Sequence, residues 1–511
     1  MVFNKLFKED NRNALVVLSL FVFVLSIYLM PIWPSLDLFY HNEDIDRDTA
    51  QIIESRGFKA ENHRITTGDG YILTVTRIIN PHVTDRSKLR PILLQHGYQC
   101  NANLWIINSM GELTDDGKWV EDNNDGPAQI IESRGFKAEN HRITTGDGYI
   151  LTVTRIINPH VTDRSKLRPI LLQHGYQCNA NLWIINSMGE LTDDGKWVED
   201  NNDGPVGNTL GFVLAVNGYD VWLANMRGNM YSLHHTRYRS YDPIFWRFSI
   251  DEMIDYDLPA MISYIQKETQ KEQLSYIGHS QGTIMMFGLL ASQPHYSNII
   301  KPFIAMSPVP FMGNSTSPLV QYGSYILSFL RTTETPFLLL GRAQKHIAHL
   351  CDTSYIARVI CYRVMYSCLG YQEEQFNFTR TGVYVANLPA GSSSWNAAHL
   401  LQMVYSNRPQ RYDYGNNETN TMKYQSHEPP VYDMSAINST NIALIYSAND
   451  WLNPVPDVEY LKSHLNVKLL DDYEVPDPTW NHMELLWALE TGQFVNPRIP
   501  DIFTKKYIDV E

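Results

Sequence analysis

A serine lies at the centre of Gly278–Gly282, which reads Gly-His-Ser-Gln-Gly. The apolar segment Leu274–Ile277 precedes it, and a helix-like segment begins at about Thr283. A strand, a sharp turn and a helix in this order are typical of the nucleophile elbow, in which the turn holds a serine hydroxyl above a sheet. Glycines two residues before and after the serine leave room for that turn. The segment therefore predicts that Ser280 is a nucleophile for acyl transfer.

A serine hydroxyl needs a base to remove its proton, and the base needs an acid to orient it. Asp450 follows the apolar segment Ile442–Tyr446. His482 follows the predicted strand Val467–Glu474. Taken singly, these two residues fit a turn and a helix-capping loop, but their order after the serine is the order that elbow hydrolases use. We therefore expect Asp450 to orient His482, and His482 to act on Ser280 as general base and then acid.

The oxyanion that forms during acyl transfer needs N–H donors that are already in place. One expected donor is the N–H of Gln281, directly after the serine. The other is expected after a segment that ends Leu-Leu-Gln-His-Gly, which occurs twice, so the donor is Tyr176 or alternatively Tyr98. Tyr176 is favoured because its copy runs directly into the next predicted strand. The neighbouring histidines, His96 and His174, are expected to support the loop and not to act as bases.

The two alternatives arise from an exact repeat, because Ala50–Pro127 recurs letter for letter as Ala128–Pro205. Either a coding block was duplicated recently, or one block is counted twice in the sequence. A sheet has one place for the segment, and the second copy leaves only a short connection to the predicted strand Tyr219–Ala224. We therefore predict that residues 128–205 enter the sheet and that residues 50–127 are a redundant, appended duplicate.

Strand-like and helix-like segments alternate along most of the chain after the first copy. Alternation of this kind predicts an α/β fold with a mostly parallel central sheet and helices on both faces. Its core comprises residues 128–309 and 431–511. Residues 310–430 instead contain short amphipathic segments, which predict a helical cap or lid over the carboxyl ends of the strands; the alternative is a second structural domain without a gating role. Asp257 is expected to cap a helix that has Pro259 in its first turn.

The first 33 residues predict a targeting segment. Lys5, Lys8 and Arg12 precede the apolar run Ala14–Met30, and no small-residue cleavage site follows it. A cleaved signal peptide and an uncleaved signal anchor both fit, and both place the rest of the chain in the secretory pathway. Four glycosylation sequons agree with that compartment: Asn314, Asn377, Asn417 and Asn438.

The net charge and the cysteine pattern argue against a nucleic-acid site and a metal site. The net charge of −14 and the absence of a basic stripe argue against nucleic acid as a partner. Cys351, Cys361 and Cys368 permit one local disulfide and one free thiol, or three buried small side chains. No histidine or carboxylate spacing accompanies them, so no metal site is expected.

Seven segments, in the same order, resemble those of the acid lipases, the family of gastric and lysosomal lipases and their invertebrate relatives. They are Thr145–Arg155, Leu171–Tyr176, Gly218–Asn229, Phe245–Pro259, Tyr276–Gly282, Asn387–Gly391 and Trp480–Trp487. The resemblance spans about Asp46 to Ile502 when one copy is ignored. It implies an α/β-hydrolase fold with a cap and lid, a triad of Ser280, Asp450 and His482, and a cap disulfide, most naturally Cys351–Cys361. The chain departs from the family by a tyrosine at Tyr176, where a small aliphatic residue is usual, and by the duplication.

These observations predict a lipase or carboxylic ester hydrolase that forms an acyl-enzyme intermediate. Expected substrates are lipid esters such as acylglycerols or sterol esters, presented at a lipid–water interface. The alternatives are a short-chain carboxylesterase and an inactive binding protein on the same scaffold. The enzyme is expected to be secreted or lysosomal, or held on a membrane by its N-terminal apolar segment. No metal or organic cofactor is expected, and the oligomeric state is not predicted.

Overall fold

The computed structural model describes residues 49–55, 57–87, 89–94, 111–113, 119–121, 126–199 and 204–508. The predicted targeting segment 1–33 and the first-copy residues His96 and Tyr98 lie outside these ranges. The described residues form two compact units, one that ends at Gly126 and one that begins at Pro127. The predicted core and cap both lie in the second unit.

A sheet of nine strands forms the core of the second unit. The strands are β1 (Lys137–Thr144), β2 (Tyr149–Ile157), β3 (Arg168–Gln173), β4 (Tyr219–Leu223), β5 (His234–His235), β6 (Leu274–His279), β7 (Ile300–Met306), β8 (Ile442–Tyr446) and β9 (Asp471–Glu474). The order across the sheet is β5-β2-β4-β3-β6-β7-β8-β9, and β1 pairs with β2. All pairs from β4 to β9 in this order are parallel, whereas those made by β2 are antiparallel.

The central strands are buried on both faces. In β3, Leu171 belongs to one apolar cluster, and its neighbours Ile170 and Leu172 belong to another. Successive side chains of a strand point to opposite faces, so each cluster covers one face of the sheet. Strands covered in this way have nearly continuous apolar sequences, as β8 and the middle of β3 do. The predicted α/β fold with a mostly parallel central sheet is confirmed.

Helices pack around this sheet and extend from it. Those outside the predicted cap are α1 (Gly126–Glu132), α2 (Leu210–Val216), α3 (Leu258–Thr269), α4 (Gln281–Ser292), α12 (Val455–His464), α13 (Glu484–Trp487), α14 (Thr491–Phe494) and α15 (Arg498–Ile508). Between β7 and β8 lie α5 (Pro318–Tyr322), α6 (Ser324–Thr332), α7 (Arg342–Asp352), α8 (Tyr355–Tyr366), α9 (Thr381–Asn387), α10 (Ser394–Ser406) and α11 (Asn417–Tyr424). A disulfide between Cys351 and Cys361 joins α7 to α8. No described helix is long and apolar enough to cross a lipid bilayer.

Two local predictions were wrong. Asp257 does not cap α3, because it is already helical and follows a helical segment that begins at Ile250. Its buried carboxylate instead pairs with the buried guanidinium of Arg227, with Nη2 2.5 Å from Oδ1. Strand β9 begins at Asp471 and not at Val467. The first error has a clear cause, because the carboxylate of Asp257 binds the distant Arg227 and is therefore not available to cap a helix.

The first copy forms its own two-stranded sheet, Lys59–Thr66 with Ile72–Ile79. Its pairing matches that of β1 and β2, because Lys59 faces Ile79 as Lys137 faces Ile157. The side chains have different surroundings, however. Leu73 is 51% exposed, whereas its counterpart Leu151 is fully buried. In the structure the second copy supplies strands β1, β2 and β3 of the nine-stranded sheet.

Candidate active site

Ser280 lies in the turn between β6 and α4. Its φ of 53° and ψ of −122° belong to a region that only glycine adopts without strain. The flanking glycines make the turn possible. A Cβ at Gly278 would lie 2.7 Å from the carbonyl oxygen of Gly282, and a Cβ at Gly282 would lie 2.6 Å from the carbonyl oxygen of Gln173. The sequence thus produces the strained turn that the elbow motif predicts.

Asp450 and His482 meet at the carboxyl edge of the sheet. His482 Nδ1 donates to Asp450 Oδ2 over 2.7 Å, and both side chains are buried. The second carboxylate oxygen of Asp450 accepts the N–H groups of Leu452 and Asn453, each at 2.9 Å. These bonds fix the carboxylate and keep the histidine proton on Nδ1. The lone pair of Nε2 is therefore left to accept a proton.

His279, next to Ser280, connects the elbow to the His482 loop. Its Nε2 donates to the carbonyl oxygen of His482 over 2.9 Å, and the two rings lie 4.9 Å apart. Burial lowers the pKa of His279 to about 3, so this imidazole stays neutral. In the described structure no hydrogen bond joins Ser280 directly to His482; the contact between their loops runs through His279. Sequence reasoning missed this residue, since the motif leaves its position unspecified.

The backbone turn that begins at Gly175 packs against Ser280. A Cβ at Gly175 would lie 2.9 Å from Ser280 Cβ, so only glycine fits. The turn runs from Gly175 to Cys178 and is closed by a 3.3 Å bond from the N–H of Cys178 to the carbonyl oxygen of Gly175. Within residues 126–199 and 204–508, the N–H groups of Tyr176 and Gln281 donate to no protein acceptor. They are therefore available to a bound oxyanion, whereas Tyr98 lies outside the described residues.

His174 holds this turn in place. Its Nδ1 donates to the carbonyl oxygen of Gly175 over 2.8 Å, and its Nε2 accepts the N–H of Met226 over 3.1 Å. Burial lowers the pKa of His174 to about 4, which keeps the ring neutral and preserves this pair of bonds. Both ring nitrogens are engaged, so His174 has no lone pair for a substrate proton.

The comparisons with known proteins agree with this geometry. A family model described as a partial α/β-hydrolase lipase region matches residues 49–109 and again 127–187, and one for the α/β hydrolase fold matches residues 168–345. Gastric triacylglycerol lipase of Bos taurus is 34% identical over 387 residues, which cover 74% of this chain and 91% of that protein. The chain belongs to the acid lipase family.

Two other relatives give similar values. Lipase lipl-5 of Caenorhabditis elegans is 35% identical and covers 71% of this chain and 87% of its own length. Human lysosomal acid lipase/cholesteryl ester hydrolase is 31% identical and covers 79% of this chain and 96% of its own length. This acid lipase is therefore an ester hydrolase with an α/β-hydrolase fold.

The remaining predicted residues are a cysteine pair and the four sequon asparagines. Cys351 and Cys361 belong to α7 and α8, within the predicted cap. Three of the sequon asparagines are exposed and one is half-buried. One of them, Asn314, donates from its side chain to Asp457 over 2.8 Å. No group of histidine, cysteine or carboxylate side chains in the described ranges could hold a metal ion.

Glu484 is a buried carboxyl that sequence reasoning missed. It lies two residues after His482, and its Oε2 accepts the N–H of Asn481 over 2.7 Å. Its Oε1 is buried without a partner among the described residues. Burial raises the pKa of Glu484 to about 9, so this acid holds its proton at neutral pH. A glutamate in the first turn of an apolar helix looks like an ordinary helix start, and only its burial distinguishes it.

The raised pKa of Glu484 predicts that the fold loses stability as pH rises. Between the ordinary pKa of a glutamate and about 9, the unfolded chain carries a carboxylate and the folded chain a proton, so rising pH favours unfolding. The variant Glu484→Gln keeps the shape but does not titrate. We expect the melting temperature of both proteins to fall between pH 5 and pH 8. The fall should be about 5 °C smaller for Glu484→Gln than for the unmodified protein.

Differential scanning fluorimetry across this pH range tests the prediction. The matched control is Glu490→Gln, since Glu490 is exposed and belongs to the same part of the chain. Its melting curve should follow that of the unmodified protein at every pH. Parallel profiles for the Glu484→Gln and unmodified proteins would show that Glu484 titrates normally.

Proposed function

We propose that this acid lipase hydrolyses carboxylic esters of apolar acyl chains, such as acylglycerols or sterol esters, through an acyl-Ser280 intermediate. The observation that carries the proposal is the 2.7 Å bond between His482 and Asp450, at the sheet edge where the strained turn presents Ser280. A serine, a carboxylate and a histidine in this chain order support acyl transfer.

The reaction proceeds in two halves. In the first, His482 Nε2 takes the proton of the Ser280 hydroxyl as its oxygen attacks the carbonyl carbon of the ester. The N–H groups of Gln281 and Tyr176 bind the oxyanion, and His482 then gives its proton to the departing alcohol. In the second half, His482 takes a proton from water, which attacks the acyl carbon. Return of that proton to Ser280 releases the acid, while Asp450 holds the histidine tautomer throughout.

The surroundings of Tyr176 support an apolar acyl group. This residue packs against a buried cluster contributed by the cap: Leu330, Ala397, Ala398, Leu401 and Tyr412. Because Tyr176 directly follows Gly175, which contacts Ser280, the apolar cluster lies beside the elbow. Two of the matched relatives are named triacylglycerol lipase and cholesteryl ester hydrolase, which agrees with such an acyl group.

Exposed apolar side chains on the cap support work at a lipid surface. On α6, Tyr325 is 83% exposed and Phe329 also faces solvent. On α8, Tyr355, Ile356 and Ile360 are exposed as well. Isolated exposed apolar residues are common, but groups along one helix are typical of a surface that binds lipid or protein.

We expect activity to rise disproportionately once the substrate forms an emulsion, because a lipid surface favours the state in which the cap's apolar residues contact lipid. Initial rates on tributyroylglycerol, measured on both sides of its solubility limit, test this. The double variant Tyr325→Ser/Phe329→Ser should lose most of that rise while keeping its activity on dissolved ester.

Tyr241→Ser is the matched control, since Tyr241 is equally exposed but lies outside the cap. Simple saturation through the solubility limit would instead indicate an ungated short-chain carboxylesterase, the second candidate. A chain without Ala50–Pro127 should give the same curve as the full chain, which would support the proposal that the first copy is redundant.

We also propose that the enzyme works in the secretory pathway. It is either released when segment 1–33 is cleaved as a signal peptide or held on the membrane by that segment as an uncleaved anchor. The disulfide Cys351–Cys361 supports this, because disulfides persist in oxidising compartments. Surface sequons at Asn314, Asn417 and Asn438 agree with it. Treatment of the secreted protein with an N-glycosidase should lower its apparent mass.

A further inference from the structure

Gln177 occupies an unusual position in the turn beside the elbow. In the turn from Gly175 to Cys178 it is the third residue, and its φ is 58°. A turn with a positive φ at this position normally has glycine or asparagine there, because a larger side chain makes the left-handed conformation unfavourable. Something outside the turn must therefore stabilise the glutamine.

Outside the turn, Gln177 is held by three hydrogen bonds to the cap. The carbonyl oxygen of Gln177 accepts the N–H of Ala390 over 2.7 Å. Its side-chain Oε1 accepts the N–H of Gly391 over 2.9 Å, and Nε2 donates to the carbonyl oxygen of Phe337 over 3.0 Å. Both ends of the amide are thus bonded to backbone groups, which cannot rotate away as side chains can.

These backbone groups belong to one small structure, which we name the cap ribbon: the paired strands Pro336–Phe337 and Ser392–Ser393 with the preceding Ala390 and Gly391. The ribbon is itself fixed. Ala390 accepts the N–H of Met230 over 2.9 Å, and a Cβ at Gly391 would lie 2.6 Å from Leu339 Cδ1. Gln177 therefore bonds to a part of the cap that is itself bonded to the core and closely packed.

The other expected oxyanion donor has a cap contact too. The side-chain oxygen of Gln281 accepts a 3.1 Å bond from Asn396 of α10, which directly follows the cap ribbon. Both residues at the expected oxyanion site are thus connected to the same region of the cap. This arrangement makes the geometry of the site depend on the cap being in place.

We propose that Gln177 is a positioning residue that uses the cap ribbon to hold the N–H of Tyr176 where the oxyanion forms. The proposal rests on the proposed function, since it assigns a purpose to the donor of that mechanism. Donors that are aligned in advance stabilise the transition state more than the substrate, so the loss of the side chain should lower kcat and leave KM nearly unchanged.

Two variants separate the cap contact from the shape of the turn. Gln177→Leu removes both side-chain bonds and keeps a Cβ, whereas Gln177→Gly removes the bonds but suits the left-handed conformation. In both, the main-chain bond to Ala390 remains, which favours correct folding. We expect kcat on dissolved p-nitrophenyl butyrate to fall about tenfold in each variant, with KM within twofold of the unmodified value. Gln177→Glu, which keeps the acceptor for Gly391, should lose less.

The matched control is Gln402→Leu. Gln402 is also a buried cap glutamine, and its amide makes two bonds to the backbone of Asp413, at 2.8 and 2.9 Å. It has no bond to the turn at Gly175. Its kcat and KM should therefore match those of the unmodified protein, and the circular dichroism spectra of all variants should coincide.

Inhibition by butylboronic acid gives a second readout, because the tetrahedral boronate on the serine needs the oxyanion donors and the ground-state ester needs them less. We expect its inhibition constant to rise with the fall in kcat. Full activity of Gln177→Gly, or a changed KM with unchanged boronate inhibition, would overturn the proposal. Ester hydrolysis that survives Ser280→Ala, in a protein that keeps Gln177, would instead overturn the proposed function itself, and the role of Gln177 with it.

Discussion

Replacement of Ser280 by alanine should lower ester turnover by about 10⁵-fold while the protein still folds and binds substrate. The reason is that no acyl-enzyme can form without the hydroxyl, although the N–H groups of Gln281 and Tyr176 remain to polarise the carbonyl. Turnover of p-nitrophenyl butyrate, with the melting temperature as a test of folding, measures the effect. Since alanine also has a Cβ, the strained backbone at this position is unchanged and stability should alter little.

Ser292→Ala provides the control for this variant, because Ser292 is the exposed last residue of α4, the helix that follows Ser280. It should retain full turnover. A folded Ser280→Ala protein with near-normal activity would show that another group is the nucleophile.

The second large effect is expected for Gly175→Ala. The new methyl group would lie 2.9 Å from Ser280 Cβ, closer than such atoms approach in proteins, and 3.1 Å from His279 Nδ1, which is tighter than most such contacts. Either the turn or the elbow must move, and both carry groups of the proposed mechanism. We expect kcat to fall at least about 100-fold, as when an oxyanion donor is lost, with a smaller loss of stability.

The repeat supplies an exact control for this change. Gly97→Ala makes the same substitution in the same sequence of the first copy, outside the described residues. It should leave kcat unchanged if Tyr176, and not Tyr98, provides the donor. If Gly97→Ala alone abolished activity, the roles assigned to the two copies would have to be exchanged.

The parts of the site that the sequence predicted depend on local rules. The residues of Gly278–Gly282 specify a tight turn through the glycines, and apolar runs before Asp450 and His482 specify strands whose carboxyl ends meet at one edge. The structure brings Asp450 and His482 into contact at that edge. Each of these inferences needed only a few neighbouring residues.

The contacts that the sequence did not reveal are long-range. His279 bonds to a loop about two hundred residues later, and Gln177 bonds to the cap ribbon across a similar distance in the sequence. Asp257 was wrongly assigned to a helix start because Arg227, thirty residues before it, is a stronger partner than the backbone. No local pattern distinguishes a glutamine or aspartate that is bound in this way from one that faces solvent.

The two hairpins of identical sequence show which properties of this fold are encoded locally. The first-copy hairpin pairs its residues as β1 and β2 do, although it is not part of the nine-stranded sheet. Strand pairing and turn geometry are therefore autonomous, and burial of residues such as Leu151 is conferred by the neighbouring strands and helices. It follows that during folding both copies can form their hairpins without competing. They compete only for the single place beside the strands of the large sheet, and loop-closure entropy gives a modest kinetic advantage to the second copy, which is nearer to those strands in the sequence.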